Sequence, residues 1–307
     1  MTDTHDHLNS LVQPPLSMGS DSVGEPERIE IPETAIVIDR KRQAGPAYID
    51  LDGERVQQQG LNLLVAGYRG SGKSYALWYL CEELWRLRVP FTVLDPAGTG
   101  RGLLELPDGL SAWDGNFEGF MGRFIYGGQS YYANLSRLPV EAAPQLLIRW
   151  ISQYLEYVQL NEPFTVALVL DDLARFAPGK GASDEFKQAG ADLAYLIQEA
   201  RRFGLFVLST VQRLDLTMSQ ITQQMNLWFF GNPGSTSDFK KSLAHLPAWF
   251  EESQWNQRML SSLPAGRFLM MSQAGGGLVQ IPKRRTTDYG AAPAALRRPG
   301  GRKEPRR

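Results

Sequence analysis

The sequence predicts an α/β fold with a mainly parallel central sheet, flanking helices and a small antiparallel extension. Three observations carry that prediction. Short, nearly continuous apolar runs alternate with helical stretches; a glycine-rich turn, GYRGSGKS, joins one run to a helix; and another run, VALVL, ends abruptly at Asp171 and Asp172. Strands that alternate with helices build crossover-connected parallel sheets. Strands covered on both faces read as unbroken apolar segments.

Taken in order, AIVID (35–39) and AYIDL (47–51) alternate as a small antiparallel lead-in. LNLLVAG (61–67) is a buried strand, and KSYALWYLCEELWRLR (73–88) follows as a helix. Leu77, Leu80, Cys81, Leu84 and Leu87 share one face of that helix, and Pro90 closes it. FTVLD (91–95) and YYANLS (131–136) are further strands, and a helix then runs across Pro144 to Gln159. FTVALVLDD (164–172) is an apolar strand running into two acids, and a helix at about 183–203 leads into the strand LFVLST (205–210). LWFFG (227–231), a helix DFKKSLAHL (238–246) and the pair RFLMMS and GLVQI complete the body, with GGG (275–277) as the hairpin turn. No repeat of about 20–50 residues is present, which excludes a solenoid.

Composition narrows the function classes. With 43% hydrophobic and 21% charged residues, the 307-residue chain has the means to bury a core, so a wholly disordered or fibrous protein is excluded. The single cysteine, Cys81, cannot form an intrachain disulfide, and a reducing, cytoplasmic setting is expected. No apolar run approaches the roughly 18 residues of a membrane span, and MTDTHDHLNS does not read as a signal peptide, so no membrane insertion is expected. Residues 1–33 carry seven acids against one base, and residues 283–307 nine bases against two acids. Both ends are poor in large apolar residues. The expected organisation is a flexible acidic arm (1–33), one folded domain (34–282) and a flexible basic tail (283–307). That tail either contacts phosphates or is simply solvated.

GYRGSGKS places Gly67, Gly72, Lys73 and Ser74 at the fixed positions of a phosphate-binding loop, between a strand and a helix. Gly67, Gly70, Ser71 and Gly72 allow a tight turn whose N–H groups point at phosphate oxygens, and the helix adds its positive end. Lys73 would reach the β- and γ-phosphates, and the Ser74 hydroxyl would sit on Mg²⁺. An acid at the tip of a parallel strand lies where such sheets bind ligands. Asp171 is then the Mg²⁺ residue, and Asp172 the group that orients or deprotonates the attacking water. Gln212, just past LFVLST, either senses the γ-phosphate or faces solvent. Arg201 and Arg202 end the 183–203 helix, either as guanidinium groups offered across a subunit boundary or as cations that complement a helix terminus.

The order of these motifs resembles the FtsK–HerA superfamily of P-loop ATPases, its HerA- and TraG-like members in particular. The resemblance rests on GYRGSGKS, TVLDPAG (92–98), DDLARF (171–176), EARRFGLFVLSTVQR (199–213) and LPAGRFLMMS (263–272). It implies a RecA-like domain of the ASCE type and a ring-shaped homo-oligomer, usually a hexamer, in which ATP sits between subunits and drives movement of DNA. By that likeness Gly72, Lys73 and Ser74 bind nucleotide, Asp171 serves Mg²⁺ and Asp172 stands in the catalytic acid's place. Gln212 is the sensor, and Arg201, or alternatively Arg202, the arginine acting in trans. Two departures stand out: the family usually has Glu where this chain has Asp172, and the sensor element T-V-Q-R carries an extra residue.

The function expected is an ATPase that translocates or packages DNA through backbone contacts, within a larger transfer or capsid machine and therefore cytoplasmic or virion-associated. The alternative is a nucleotide-gated assembly module with weak hydrolysis. His5, His7 and His245 are too scattered for a metal site, and Trp78, Trp85, Trp249 and Trp255 read as core or interface anchors.

Overall fold

The structure, a computed structural model, describes residues 28–31, 35–38, 41–44, 47–50, 60–107, 110–179, 181–243, 256–272 and 275–290. Four short strands come first: β1 (Arg28–Ile31), β2 (Ala35–Ile38), β3 (Lys41–Ala44) and β4 (Ala47–Asp50). The lead-in strands expected from sequence are present but do not pair with each other; β2 pairs with β3 and β4 with β1, both antiparallel. β1 falls within residues assigned from charge to the acidic arm.

A single nine-stranded sheet forms the centre. Its strands are β5 (Leu61–Ala66), β6 (Phe91–Asp95), β7 (Leu110–Ala112), β8 (Ser130–Asn134), β9 (Val166–Leu170), β10 (Leu205–Val211), β11 (Leu227–Phe230), β12 (Arg267–Ser272) and β13 (Gly275–Gln280). Their spatial order is β13-β12-β11-β5-β10-β9-β6-β8-β7. From β11 across to β7 every strand is parallel to its neighbours, and the β12–β13 hairpin adds an antiparallel extension at the β11 edge. The three glycines 275–277 lie inside β13, so the hairpin turn precedes them.

The helices are α1 (Lys73–Arg86), α2 (Phe120–Ile125), α3 (Ala142–Leu160), α4 (Asp184–Phe203), α5 (Ser219–Thr222), α6 (Thr236–Leu243) and α7 (Gln257–Ser261). Alternation along β5 divides the core. Leu61, Leu63 and Val65 pack with α1 residues such as Leu77, Leu80 and Leu84, while Leu64 and Ala66 join the α3 and α4 residues Leu147, Trp150, Leu193 and Ile197. The result is three layers, helix–sheet–helix.

α1 ends by its own backbone rather than at Pro90. Arg88 takes a left-handed conformation (φ 58), its N–H donates to the Trp85 carbonyl, and Val89 N–H donates to the Leu84 carbonyl, a Schellman closure. Trp78 is buried in the core, as expected of an anchor. His5, His7, His245, Trp249 and Trp255 lie outside the described residues.

The chain packs past the expected domain boundary. Residues 283–290 cross the outside of α1 instead of starting a free tail, with Arg284 and Thr286 buried and Arg285 paired to Glu83. Two of the three bases in KRR are therefore spent on internal carboxylates.

Candidate active site

β5, β9 and β10 run parallel side by side, so the turns after them share one edge of the sheet. The phosphate loop follows β5, Asp171 and Asp172 follow β9, and Gln212 follows β10. That edge opens into a cavity of about 1010 Å³, on which Gly70, Gly72, Lys73, Ser74, Asp171, Asp172, Thr210 and Gln212 all border. Topology thus brings most of the sequence-predicted residues to one place.

Within the loop, Gly72 adopts φ 92 and directly precedes α1. A Cβ there would stand 2.7 Å from the Gly266 backbone nitrogen, and Gly266 N–H donates to the Ser71 carbonyl at 2.8 Å. Only glycine lets the LPAG segment brace the loop this closely. Lys73 curls back so that its Nζ donates to the Tyr68 carbonyl at 3.1 Å. Burial pulls its pKa down from the ordinary lysine value, against the pull of Asp171 and Asp172. The Ser71 hydroxyl is buried without a hydrogen-bond partner. Ser71 does not border the cavity, and its side chain lies against Gly67 and Gly231, whereas an ammonium resting on its own loop is a group that a phosphate would satisfy.

The two acids are organised by one hydroxyl. Thr210 Oγ1 donates to Asp171 Oδ1 at 2.7 Å and accepts from the Asp172 N–H at 2.7 Å. Ser74 Oγ donates to both Asp171 carboxylate oxygens, at 3.0 and 3.2 Å. Burial raises the Asp171 pKa to about 7, reinforced by the negative charge of Asp95 and opposed by the Thr210 and Ser74 hydrogen bonds. Hard oxygen donors at this spot, Ser74 Oγ and the Asp171 carboxylate, fit Mg²⁺ chemistry.

Asp172 is one of two non-glycine residues with positive φ among the described residues (φ 60, ψ 75), a conformation that costs energy and clusters at functional sites. The turn aims its carboxylate toward the cavity instead of leaving it as a helix cap. Burial raises its pKa, partly offset by Arg175 and Lys73, and Arg175 Nε lies 3.8 Å from Asp172 Oδ2.

Three contributors escaped the sequence reading. Thr210 was visible only as a polar residue at the end of an apolar strand. Arg175 borders the cavity, and nothing in DDLARF marks it off from a surface base. Asp95 is fully buried and accepts from the N–H groups of Ala97, Gly98 and Gly100 and from the Tyr132 hydroxyl, so the Asp of DPAG shapes its own turn. Arg201 and Arg202 do not reach the cavity. They sit in the last turn of α4, with Arg201 beside Gly60 at the start of β5, while the loop lies beyond its end. A strand of that length separates the two by about 20 Å.

No family model and no curated protein matches the sequence. Solved structures do match. The genome packaging NTPase B204 of Sulfolobus turreted icosahedral virus 2, in complex with AMPPCP, aligns at TM-score 0.51 and 13% identity over 72% of this chain and 97% of that one. The chain shares the P-loop NTPase fold of that protein. The pCW3 conjugation coupling protein TcpA, with ATPγS, aligns at TM-score 0.52 and 17% identity over 84% of this chain. Thermomonospora curvata EccC (ATPases 2 and 3), in complex with a signal sequence peptide, aligns at TM-score 0.51 and 18% identity over 84% of this chain. The chain spans 66% of the TcpA chain and 41% of the EccC chain. The RecA-like expectation from the motifs is met: the strand β10, which ends in Thr210 and Val211 just before Gln212, lies between the phosphate-loop strand and the acid strand, and flanking helices cover both faces. Among the described residues no helix is long and apolar enough to cross a membrane.

Proposed function

We propose that this chain binds Mg²⁺–ATP and hydrolyses it to drive DNA movement, as a translocating or packaging motor that works as a ring, most simply a homo-hexamer. The observation that carries this is the convergence of Lys73, Ser74, Asp171, Asp172 and Thr210 at one edge of the sheet, with the Ser74–Asp171 contact already made. The similar structures include a genome packaging NTPase and a conjugation coupling protein, and the DNA cargo is inferred from that likeness.

Loop N–H groups, those of Gly67, Gly70, Ser71 and Gly72 among them, and Lys73 hold the phosphates, and Ser74 with Asp171 would hold Mg²⁺. When bound, the ion neutralises charge developing on the phosphoryl oxygens. Asp172 accepts the proton of the attacking water, and Gln212 positions that water from the neighbouring strand tip. Arg201, with Arg202 as its neighbour, lies too far from the loop of its own chain and serves the adjacent subunit's site, stabilising charge on the γ-phosphate. Contacts with DNA are to backbone phosphates, and the setting is cytoplasmic or virion-associated.

Steady-state ATP turnover with and without duplex DNA tests the proposal. DNA-stimulated turnover that Lys73→Ala abolishes supports it, and a particle with DNA in a central hole supports the ring. Arg201→Ala is expected to abolish turnover while sparing ATP binding; full turnover of that variant in the assembled protein would remove the trans role. One observation favours a second reading, a nucleotide-gated assembly module. Asp172 is a methylene shorter than Glu and lies near Arg175. Tight ATP binding with negligible turnover, whether or not DNA is present, would decide for it.

A further inference from the structure

The cavity has two unlike walls. Asp171, Asp172 and Gln212 form one, and the other is built from Tyr75 of α1 together with Ile281, Lys283 and Asp288, residues that follow β13. This second wall is a strap that crosses α1 and reaches the 99–105 turn on its far side.

The strap is pinned by a buried carboxylate. Glu82, fully withdrawn from solvent, accepts from Arg284 Nε (3.2 Å), Arg285 N–H (2.7 Å), Thr286 N–H (3.1 Å) and Thr286 Oγ1 (2.6 Å). Arg284 N–H donates to the Tyr75 hydroxyl at 2.9 Å, which ties the strap to a residue two positions past Lys73. Farther along, Thr287 N–H and the Tyr289 hydroxyl donate to Glu105, and the Arg101 guanidinium stacks 3.7 Å from the Tyr289 ring centroid. The Thr287 carbonyl packs so closely on Gly102 that a Cβ there would collide with it. A buried ion pair is an expensive way to gain stability, since apolar side chains of the same volume often do as well or better. Its presence under a cavity wall fits a demand for exact placement.

We propose that this strap is the nucleoside-recognition wall of the pocket. It rests on the reading of the loop as a triphosphate site. With the γ-phosphate held by the loop N–H groups and Lys73, beside Asp171 and Asp172, the rest of a nucleotide has room to run along the cavity to the strap. There Tyr75 and Ile281 offer apolar surface to a base, Asp288 offers a carboxylate to a ribose hydroxyl, and Lys283 faces the α-phosphate. Glu82 is a positioning residue that sets their register from behind.

Equilibrium binding of ATP and of inorganic tripolyphosphate to the full chain tests this. Tripolyphosphate shares the phosphates and lacks the nucleoside. Glu82→Gln places an amide N–H₂ against the strap's donors, so it unpins the segment with little change of shape. It and Asp288→Ala are each expected to lose about tenfold in ATP affinity, the size of one hydrogen bond to a charged group, while tripolyphosphate binding is kept or strengthened. Should Glu82→Gln fail to fold, as a shifted thermal midpoint would reveal, the half-exposed Asp288 decides. Unchanged ATP affinity in Asp288→Ala, or equal loss of both ligands, overturns the proposal. A wild-type chain that binds tripolyphosphate as tightly as ATP also overturns it and leaves the phosphate loop standing, whereas a wild-type chain that binds neither removes the nucleotide reading itself.

Discussion

Glu82 and Asp171 are both carboxylates withdrawn from solvent, one in the middle of α1 and the other at the tip of β9, and the chain treats them in opposite ways. Glu82 has a built-in cation: Arg284 pairs with it at 3.2 Å, and backbone and hydroxyl donors take up its remaining lone pairs. Asp171 is met by two hydroxyls and, among the described residues, by no salt bridge. Its pKa rises to about 7 because burial and Asp95 both oppose its charge. A buried carboxylate completed by its own chain fixes geometry. One left electrically incomplete, beside a serine hydroxyl and a lysine, is prepared for a cation from outside.

The largest expected effect breaks the first member of this comparison. Glu82→Ala strands Arg284 in the interior and should lower unfolding free energy by about 3–5 kcal/mol in urea titrations. The double variant Glu82→Met with Arg284→Met should recover most of that loss. If the single and double variants were equally unstable, the pair would be contributing packing alone.

Asp171→Asn should have the opposite sign. The folded chain holds this proton up to about pH 7, whereas the ordinary value is 3.8, so the native state binds more protons between those values. Stability from this group is therefore full below about pH 4 and is lost as pH rises through 7. Asparagine removes the slope, and the ligand-free variant should exceed wild type at pH 8 by about 4 kcal/mol, with the gap closing toward pH 4. A variant less stable than wild type at pH 8 would place Asp171 in the same structural class as Glu82.

A smaller effect sharpens the comparison. Thr210→Val removes the hydroxyl shared by Asp171 and the Asp172 N–H and should cost about 1–3 kcal/mol at pH 8, with Thr210→Ser restoring most of it. The same variant should slow ATP turnover more than it weakens ATP binding, because Asp172 loses the contact that supports its left-handed turn.

Legibility in the sequence followed the same division. GYRGSGKS and VALVLDD were readable because each concentrates its chemistry in consecutive residues at a strand tip, and parallel topology then brings the tips together. β5, β9, β10, α1 and α4 were readable from unbroken apolar runs and helical spacing. Residues that act through distant partners were not. Glu82 reads as one more acid on an amphipathic helix, since its partners at 284–286 are some two hundred positions away and look like part of a basic tail. Charge counting led to the same misreading at Arg284, where a base that suggests solvent or phosphate is buried on a carboxylate. Thr210 and Asp95 act by hydrogen bonds that no local pattern encodes. The short β7 and α2 lack a periodic signature long enough to register.

Electron paramagnetic resonance of Mn²⁺, used in place of Mg²⁺, tests most directly whether the loop and Asp171 serve one nucleotide-bound cation. In the presence of ATP the full chain should take up Mn²⁺. Lys73→Ala should abolish that uptake through loss of ATP, and Asp171→Asn should weaken it by about tenfold or more while ATP alone still binds. Mn²⁺–ATP bound to Asp171→Asn as tightly as to wild type would contradict the convergence on which the site is built.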